Sequence, residues 1–335
     1  MIIGVTYDLR SEYLAMGYSE EETAEYDSLS TIEAIAEALH ELNHTPELIG
    51  NIKNLVNRLA EGQKWDLVFN IAEGTGGFGR EAQIPAVLEA YHIPYTFSDP
   101  LVLSLCLHKE ITKRVLKSFS IPTSEFFLVR DTSEVSRELS FPLFAKPVAE
   151  GTGKGIDSNS IIKNQKELLS VCTRLLNKYN QPVLVESFLP GREFTVGIIG
   201  TGNESYPVGA LEIILKENAE QYVYSYANKE YCEERVIYRL ARDPEAEAAV
   251  DIALRAWKAL GCRDAGRVDL RSDINGIPNV IEINPLAGLN PEHSDLPIVC
   301  KLSGIGYVEL IGKIVESAST RNRRNYFTDL TFVQR

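Results

Sequence analysis

Two alternating runs near the C-terminal end set the first structural expectation. In Arg267-Val268-Asp269-Leu270-Arg271 charged positions alternate with apolar ones, and Val280-Ile281-Glu282-Ile283-Asn284 alternates in the same way. That period of two belongs to half-buried strands. The connector between them contains Asn275-Gly276, a tight-turn signature, so a hairpin is expected. Side chains two apart share a side of a strand, which places Asp269, Glu282 and Asn284 on one face. Continuous apolar runs predict further strands at Ile2 to Thr6, at Trp65 to Ile71 as a buried parallel type, and at Phe141 to Pro147. Val183 to Val196 reads as two strands around the Pro190-Gly191 break. Helical periodicity appears from Asp27 to Leu42, with Ile32, Ile35, Ala36 and Leu39 on one face. Further helices are expected from about Glu81 to Tyr91, through Lys109 and Lys113, and from about Tyr307 to Ser317, with a short strand near Pro94-Tyr95-Thr96. Thr320 to Arg335 lacks clear periodicity and reads as a loosely held tail.

These elements describe an α/β protein in successive units. Residues 1–100 form an N-terminal α/β domain, bounded near Ser98-Asp99-Pro100. Residues 101–189 form a central lobe, 190–320 a C-terminal lobe, and 321–335 the tail. A length of 335 residues supports two or three such cores. The formal charge of −13 argues against nucleic acid as a partner, because phosphate contacts need clustered Lys and Arg. The five cysteines are odd in number and widely spaced, so reduced thiols are expected rather than disulfides. The opening residues lack the basic and apolar regions of a signal peptide, and no apolar run reaches the ~18 residues of a membrane span, so a cytoplasmic location and no membrane partner are expected.

The chemistry concentrates in three segments. Two carboxylates and an amide on the hairpin suit Mg²⁺, which takes one or two carboxylates plus substrate phosphates; a solvated hairpin with polar outer positions would carry the same pattern. Lys146 ends an apolar run, where it needs an anionic partner or water. Directly after it, Glu150-Gly151-Thr152-Gly153-Lys154-Gly155-Ile156 holds three glycines within five residues, which lets backbone N–H groups close around phosphate oxygens. This is not the Walker pattern, and a plain glycine-rich hairpin is the simpler alternative. Glu186 and Glu193 flank a hinge-like connection, where a carboxylate can accept from an adenine amino group or a ribose hydroxyl.

Taken in order, these segments resemble the ATP-grasp ligases, most closely the D-alanine–D-alanine ligases. The matching stretches are Leu107-His108-Lys109-Glu110-Ile111-Thr112-Lys113, the Lys146 strand, the glycine loop, Gly191-Arg192-Glu193-Phe194-Thr195-Val196, and Gly266-Arg267-Val268-Asp269 with Glu282-Ile283-Asn284. The resemblance extends from about Trp65 to the C-terminus. It implies an N-terminal Rossmann-like (pre-ATP-grasp) domain followed by a two-lobed ATP-grasp fold with antiparallel sheets. It implies ATP and Mg²⁺ as cofactors, two ions in all with Mn²⁺ as a substitute, a place in peptidoglycan biosynthesis, and it allows a homodimer. By motif position, Lys109 and Lys146 would hold the α- and β-phosphates, and the loop with Glu150, Gly151, Thr152, Gly153 and Gly155 would close over the γ-phosphate. Glu186 and Glu193 would hold adenine and ribose, and Asp269, Glu282 and Asn284 the metal ions. Arg267 would neutralise a tetrahedral oxyanion, Gly288 would add a backbone N–H, and Lys229 would reach the γ-phosphate from a mobile loop. In that last stretch Glu230 replaces the usual Tyr and Ala227 an acidic residue.

The departures fall where amino acids should bind. The family's N-terminal Gly-Gly-x-Ser-x-Glu loop is absent, and an acidic, Tyr-bearing insertion leaves Glu25 as the nearest candidate for a substrate ammonium. Ala72-Glu73-Gly74 stands where the family has Leu-His-Gly, and Arg80 follows on the next loop. Glu73 and Arg80 are expected to hold the ammonium and carboxylate of an amino acid, or to pair with each other at the surface. The functional reading is an ADP-forming carboxylate–amine ligase that works through an acyl phosphate, with amino acids or a dipeptide as substrates. A ligase of another amino acid or peptide, and a nucleotide-binding regulator without turnover, remain alternatives.

Overall fold

Ile3 and Val5 of strand β1 (Ile2–Thr6) are fully buried, as is all of Leu67, Val68 and Phe69 to within 1%. Burial on both faces is the mark of a parallel sheet covered by helices. Strand β1 indeed pairs in parallel with β2 (Thr45–Gly50) on one side and β3 (Leu67–Asn70) on the other. The helix Leu29–Glu41 covers this sheet with Ile32, Ile35 and Leu39, and Ser28 caps it by accepting from the Thr31 amide. The computed structural model describes residues 1–135 and 139–332, with side chains as far as Arg321. Among the described residues no helix is long and apolar enough to cross a membrane.

A second sheet is antiparallel: β4 (Phe126–Val129), β5 (Leu143–Pro147), β6 (Ile161–Ile162) and β7 (Val183–Ser187) lie in the order β4-β7-β5-β6, backed by the helix Gln165–Tyr179. The third sheet holds β8 (Glu193–Ile199), β9 (Tyr206–Leu215), β10 (Val236–Ala241), β11 (Ala265–Ser272) and β12 (Pro278–Asn284) in the antiparallel order β10-β9-β8-β11-β12. The helix Pro244–Leu260 packs Trp257 and a row of alanines against it. The strands on either side of Pro190-Gly191 thus belong to different sheets, and the connection is a crossing between lobes rather than a hairpin turn. A Cβ at Gly191 would meet the Ser272 carbonyl oxygen at 2.7 Å, so the crossing chain presses directly on the end of β11.

Two sequence expectations change. Tyr95 forms a single parallel bridge to Val68 instead of a strand. Pro94 has no amide hydrogen and Phe97 turns the chain at φ 71°, so the ladder cannot extend. The helix starting at Tyr307 runs on to Phe332, so the expected tail is helical as far as that residue, and 333–335 lie outside the described residues. Its anchor is tertiary. Arg321 donates to buried Asp264 at 2.8 Å and to the Tyr95 carbonyl at 3.0 Å, and Asp264 also accepts from Ser317 at 2.8 Å. No local periodicity carries that information.

Candidate active site

The β11–β12 hairpin forms as expected, and its register sets Asp269 opposite Glu282 and Arg267 opposite Asn284. Val268, Leu270, Val280 and Ile283 point into the core beneath, which leaves the polar partners on the other face. The Asn284 amide lies 3.2 Å from Glu282 Oε1 and 3.4 Å from Asp269 Oδ2. Thr195 donates to the other Asp269 oxygen at 2.9 Å, and Arg267 ion-pairs with Asp269. Lys109 reaches across to within 3.3 Å of Glu282 Oε2. Burial opposes ionisation of Glu282, yet Lys109, Lys229, Arg267 and Lys146 together hold it well below the usual carboxylate range. At Asp269 burial wins and the carboxyl is raised, with Arg267 opposing.

The donor set fits a hard divalent cation. Among the described residues no three His, Cys, Asp or Glu side chains gather as a metal cluster, so the set is two carboxylates and one amide. That is the donor number Mg²⁺ accepts when phosphates and water complete its shell. A half-turn of the Asn284 amide would put its oxygen where its nitrogen now meets both carboxylates.

The phosphate side is built from a lysine ladder. Lys146 ends β5 with its amine 3.1 Å from Glu186 Oε1, while Lys113 is 3.0 Å from Glu186 Oε2. Despite burial, these two cations bring Glu186 down to about 2, and burial in turn lowers Lys113 to about 8. Glu186 also lines the apolar cavity beside the ladder, where adenine is expected. Each of its oxygens meets a lysine, because a carboxylate buried between two buried lysines must neutralise them. Lys109 donates to the Glu150 carbonyl at 2.6 Å, fixing the start of the glycine loop. Thr152, Gly153 and Gly155 all take positive φ of 51°, 72° and 75°. A Cβ at Gly153 would meet the Tyr226 amide nitrogen at 2.7 Å, so the loop packs closely beneath the short helix Tyr226–Glu230 that carries Lys229. Beside the ladder lies a cavity of about 80 Å³ with Phe144, Phe188, Leu189 and Ile281 on its walls and Glu193 at its rim. Its apolar and aromatic walls suit a base. Burial raises Glu193, opposed by Arg271, which is 3.2 Å away.

A larger cavity of about 420 Å³ adjoins it, sharing Lys109, Tyr224, Lys229 and Glu282. Arg267, Asn284 and Gly288 line one end, and Glu25, Asp27, Glu73 and Glu81 the other. Lys229 holds its amine 4.7 Å from the centre of the Tyr224 ring and faces both cavities. Arg80 corrects an expectation. It is 9% exposed and donates to Glu25 at 3.0 Å and to the Ala149 carbonyl at 3.0 Å, so it neither faces the larger cavity nor pairs with Glu73. Glu25 is equally committed, accepting from the Gly151 amide at 2.5 Å and from Lys154 at 3.1 Å. These two residues tie the N-terminal domain to the glycine loop. Glu73 alone of the three substrate candidates remains without a hydrogen bond or ion pair among the described residues.

Lys113, Tyr224, Asp27 and Glu81 were not singled out from sequence as site residues. Lys113 stood in the quoted motif, four residues after Lys109 and so on the same helix face, which was a usable signal. Asp27 and Glu81 gave none, since each reads as an ordinary residue near a helix start.

Residues 115–316 match the family model for the D-ala D-ala ligase C-terminus. A D-alanine–D-alanine ligase of Aquifex aeolicus is 33% identical over 291 residues, 86% of this chain and 94% of the relative. An uncharacterized protein of Sinorhizobium fredii, y4sG, is 30% identical over 302 residues, 86% of this chain and 87% of its own length. The crystal structure of the Bacillus anthracis D-alanine–D-alanine ligase complexed with ATP shares the fold at a TM-score of 0.75 and 22% identity, covering 97% of this chain and 99% of that one. The chain belongs to the D-alanine–D-alanine ligase family of ATP-grasp enzymes.

Proposed function

We propose that the protein joins a carboxylate to an amine at the expense of ATP, through an acyl phosphate. The observation that carries this reading is the meeting of Lys109, Lys229 and Glu282 on the wall shared by a base-sized cavity and a substrate-sized one. Lys109 and Lys146 hold the phosphates of ATP, with the backbone N–H groups of residues 151–155 closing on the γ-phosphate. Asp269, Glu282 and Asn284 hold Mg²⁺, whose charge offsets the repulsion between the phosphates and an incoming carboxylate. A carboxylate oxygen of the first substrate attacks the γ-phosphorus, the bond from that phosphorus to the β-bridging oxygen breaks, and ADP departs. The neutral amine of the second substrate then attacks the acyl carbon. As the carbonyl is restored, the carbon–oxygen bond to phosphate breaks and the nitrogen gives up a proton.

Arg267 is the residue that meets the tetrahedral oxyanion. It is half-buried beside Asp269 and 3.9 Å from Asp295, and although burial works against its charge these anions keep the guanidinium protonated. Such a preorganised cation acts where charge develops rather than where substrate rests. Release of ADP and phosphate from ATP with Mg²⁺ and a panel of D- and L-amino acids tests the reading. ADP formation that requires an amino acid, with a peptide as product, is the expected result. ATP binding without ADP formation from any member would leave a nucleotide-binding regulator instead.

A further inference from the structure

The far end of the larger cavity carries more negative charge than a neutral amino acid can use. Asp27, Glu73 and Glu81 all line it, and none has a hydrogen bond or ion pair from its side chain among the described residues. Glu25 lies beside them but is already neutralised by Arg80 and Lys154. On the same walls Arg10 is held by Glu20 at 2.6 Å, Lys109 by Glu282 at 3.3 Å and Arg267 by Asp269, while the Lys229 amine rests over the Tyr224 ring, so among the described residues no lysine or arginine lining the cavity forms an ion pair with the three carboxylates. Burial first and then Glu81, Glu25 and Asp27 push Glu73 well above the ordinary range against the pull of Arg80; burial raises Glu81 to about 7 although Arg80 and Lys109 oppose it, and burial with Asp8 raises Asp27 to about 7. Carboxylates strained in this way are the signature of a missing positive partner.

A second observation makes this a ligand site rather than a stray acidic surface. The same 420 Å³ space opens onto Arg267, Lys229 and Asn284, where the acyl carbon must lie during the reaction. An amino acid placed with its carboxylate there extends its remaining groups toward Glu73 and Glu81. An α-ammonium can satisfy one of these carboxylates. It leaves the others bare, and a zwitterion adds no net charge to offset them.

We propose that Asp27, Glu73 and Glu81 form a specificity wall for a substrate amino acid bearing a second cationic group, a diamino or guanidino acid. This rests on the ligase reading above and names its substrate class. Glu73 and Glu81 contact the ligand, and Glu25 with Arg80 and Lys154 is a positioning group that holds the glycine loop against the wall.

Calorimetry on the full chain with Mg²⁺ and a non-hydrolysable ATP analogue would compare 2,3-diaminopropionate, ornithine, lysine and arginine, in both D and L forms, against D- and L-alanine. At least one basic acid is expected to bind about tenfold tighter than alanine, the scale of one additional charge-assisted contact. Glu73→Gln and Glu81→Gln should each weaken the basic acid, and at least one of them should weaken it far more than alanine and so remove most of that advantage, with nucleotide affinity changed less than about threefold. Both variants relieve repulsion, and an unchanged melting temperature would confirm that they fold. Alanine binding as tightly as every basic acid, or a preference for basic acids that survives both substitutions, would overturn the proposal. ADP formation with alanine alone would overturn it and keep the ligase reading, whereas tight binding of a basic acid with no ADP formed would do the reverse.

Discussion

The two ends of the active-site cavity show how one fold handles buried carboxylates in opposite ways. At the metal end, Glu282 has Lys109 at 3.3 Å and is held well below the ordinary carboxylate range, and in the adjoining cavity Glu186 sits between two lysines at about 2. At the amino-acid end, Glu81 and Asp27 have no cation at ion-pair distance among the described residues, and burial raises both to about 7, with Arg80 and Lys109 opposing at Glu81. The degree of burial does not separate the two ends; the placement of basic side chains does. A carboxylate that must meet cationic metal and anionic phosphate in turn is given lysines that can be shared with the phosphate. A carboxylate that awaits a cationic ligand is left without one, and the fold bears the cost until the ligand arrives.

That contrast can be broken first at its structural joint. Arg80 is buried against Glu25, so Arg80→Ala leaves that carboxylate with Lys154 as its remaining cation and should lower stability by about 3 kcal/mol in denaturant unfolding. A selective rise in the KM of the amino acid with unchanged stability would instead return Arg80 to substrate binding. Next is Glu282→Gln, which keeps the shape of the metal end but removes one charge. Turnover should fall by at least ~100-fold and the melting temperature should fall as well, because buried Lys109 loses its carboxylate partner, and activity within a few-fold of the parent would remove Glu282 from the metal site.

A finer division separates Lys146 from Arg267. Lys146→Ala should weaken ATP binding by about tenfold in calorimetry, while Arg267→Ala leaves it within about threefold and lowers kcat. The reverse pattern would exchange their roles. The smallest effect is one of pH. Glu186 is depressed from 4.5 to about 2, so in that window the unfolded chain binds the proton better and stability is lost as pH falls. Glu81 is raised from 4.5 to about 7, so there the folded chain binds the proton better and stability is lost as pH rises. Difference melts of Glu186→Gln and Glu81→Gln against the parent should therefore slope in opposite directions. Parallel slopes would show that the two ends are electrostatically alike.

Local pattern alone determined much of this protein. Alternation of charged and apolar residues placed Asp269, Glu282 and Asn284 on one face of a hairpin, and the side-chain period of a strand leaves no other arrangement once Val268 and Ile283 are buried. The Lys146 strand and the three glycines after it were readable for the same reason, since a buried lysine and a run of positive φ each demand a particular residue type. Pairings across the chain were decided only by tertiary structure. Glu25 and Lys154 are 129 residues apart and Lys113 and Glu186 are separated by 73, and no periodicity records which charge meets which. The helical continuation to Phe332 depends in the same way on Asp264, 57 residues before Arg321. Asp27, Glu73 and Glu81 are ordinary acidic residues in sequence. The fold brings them to one cavity without an ion-pair partner among the described residues, and electrostatic energy depends on distance in space rather than along the chain.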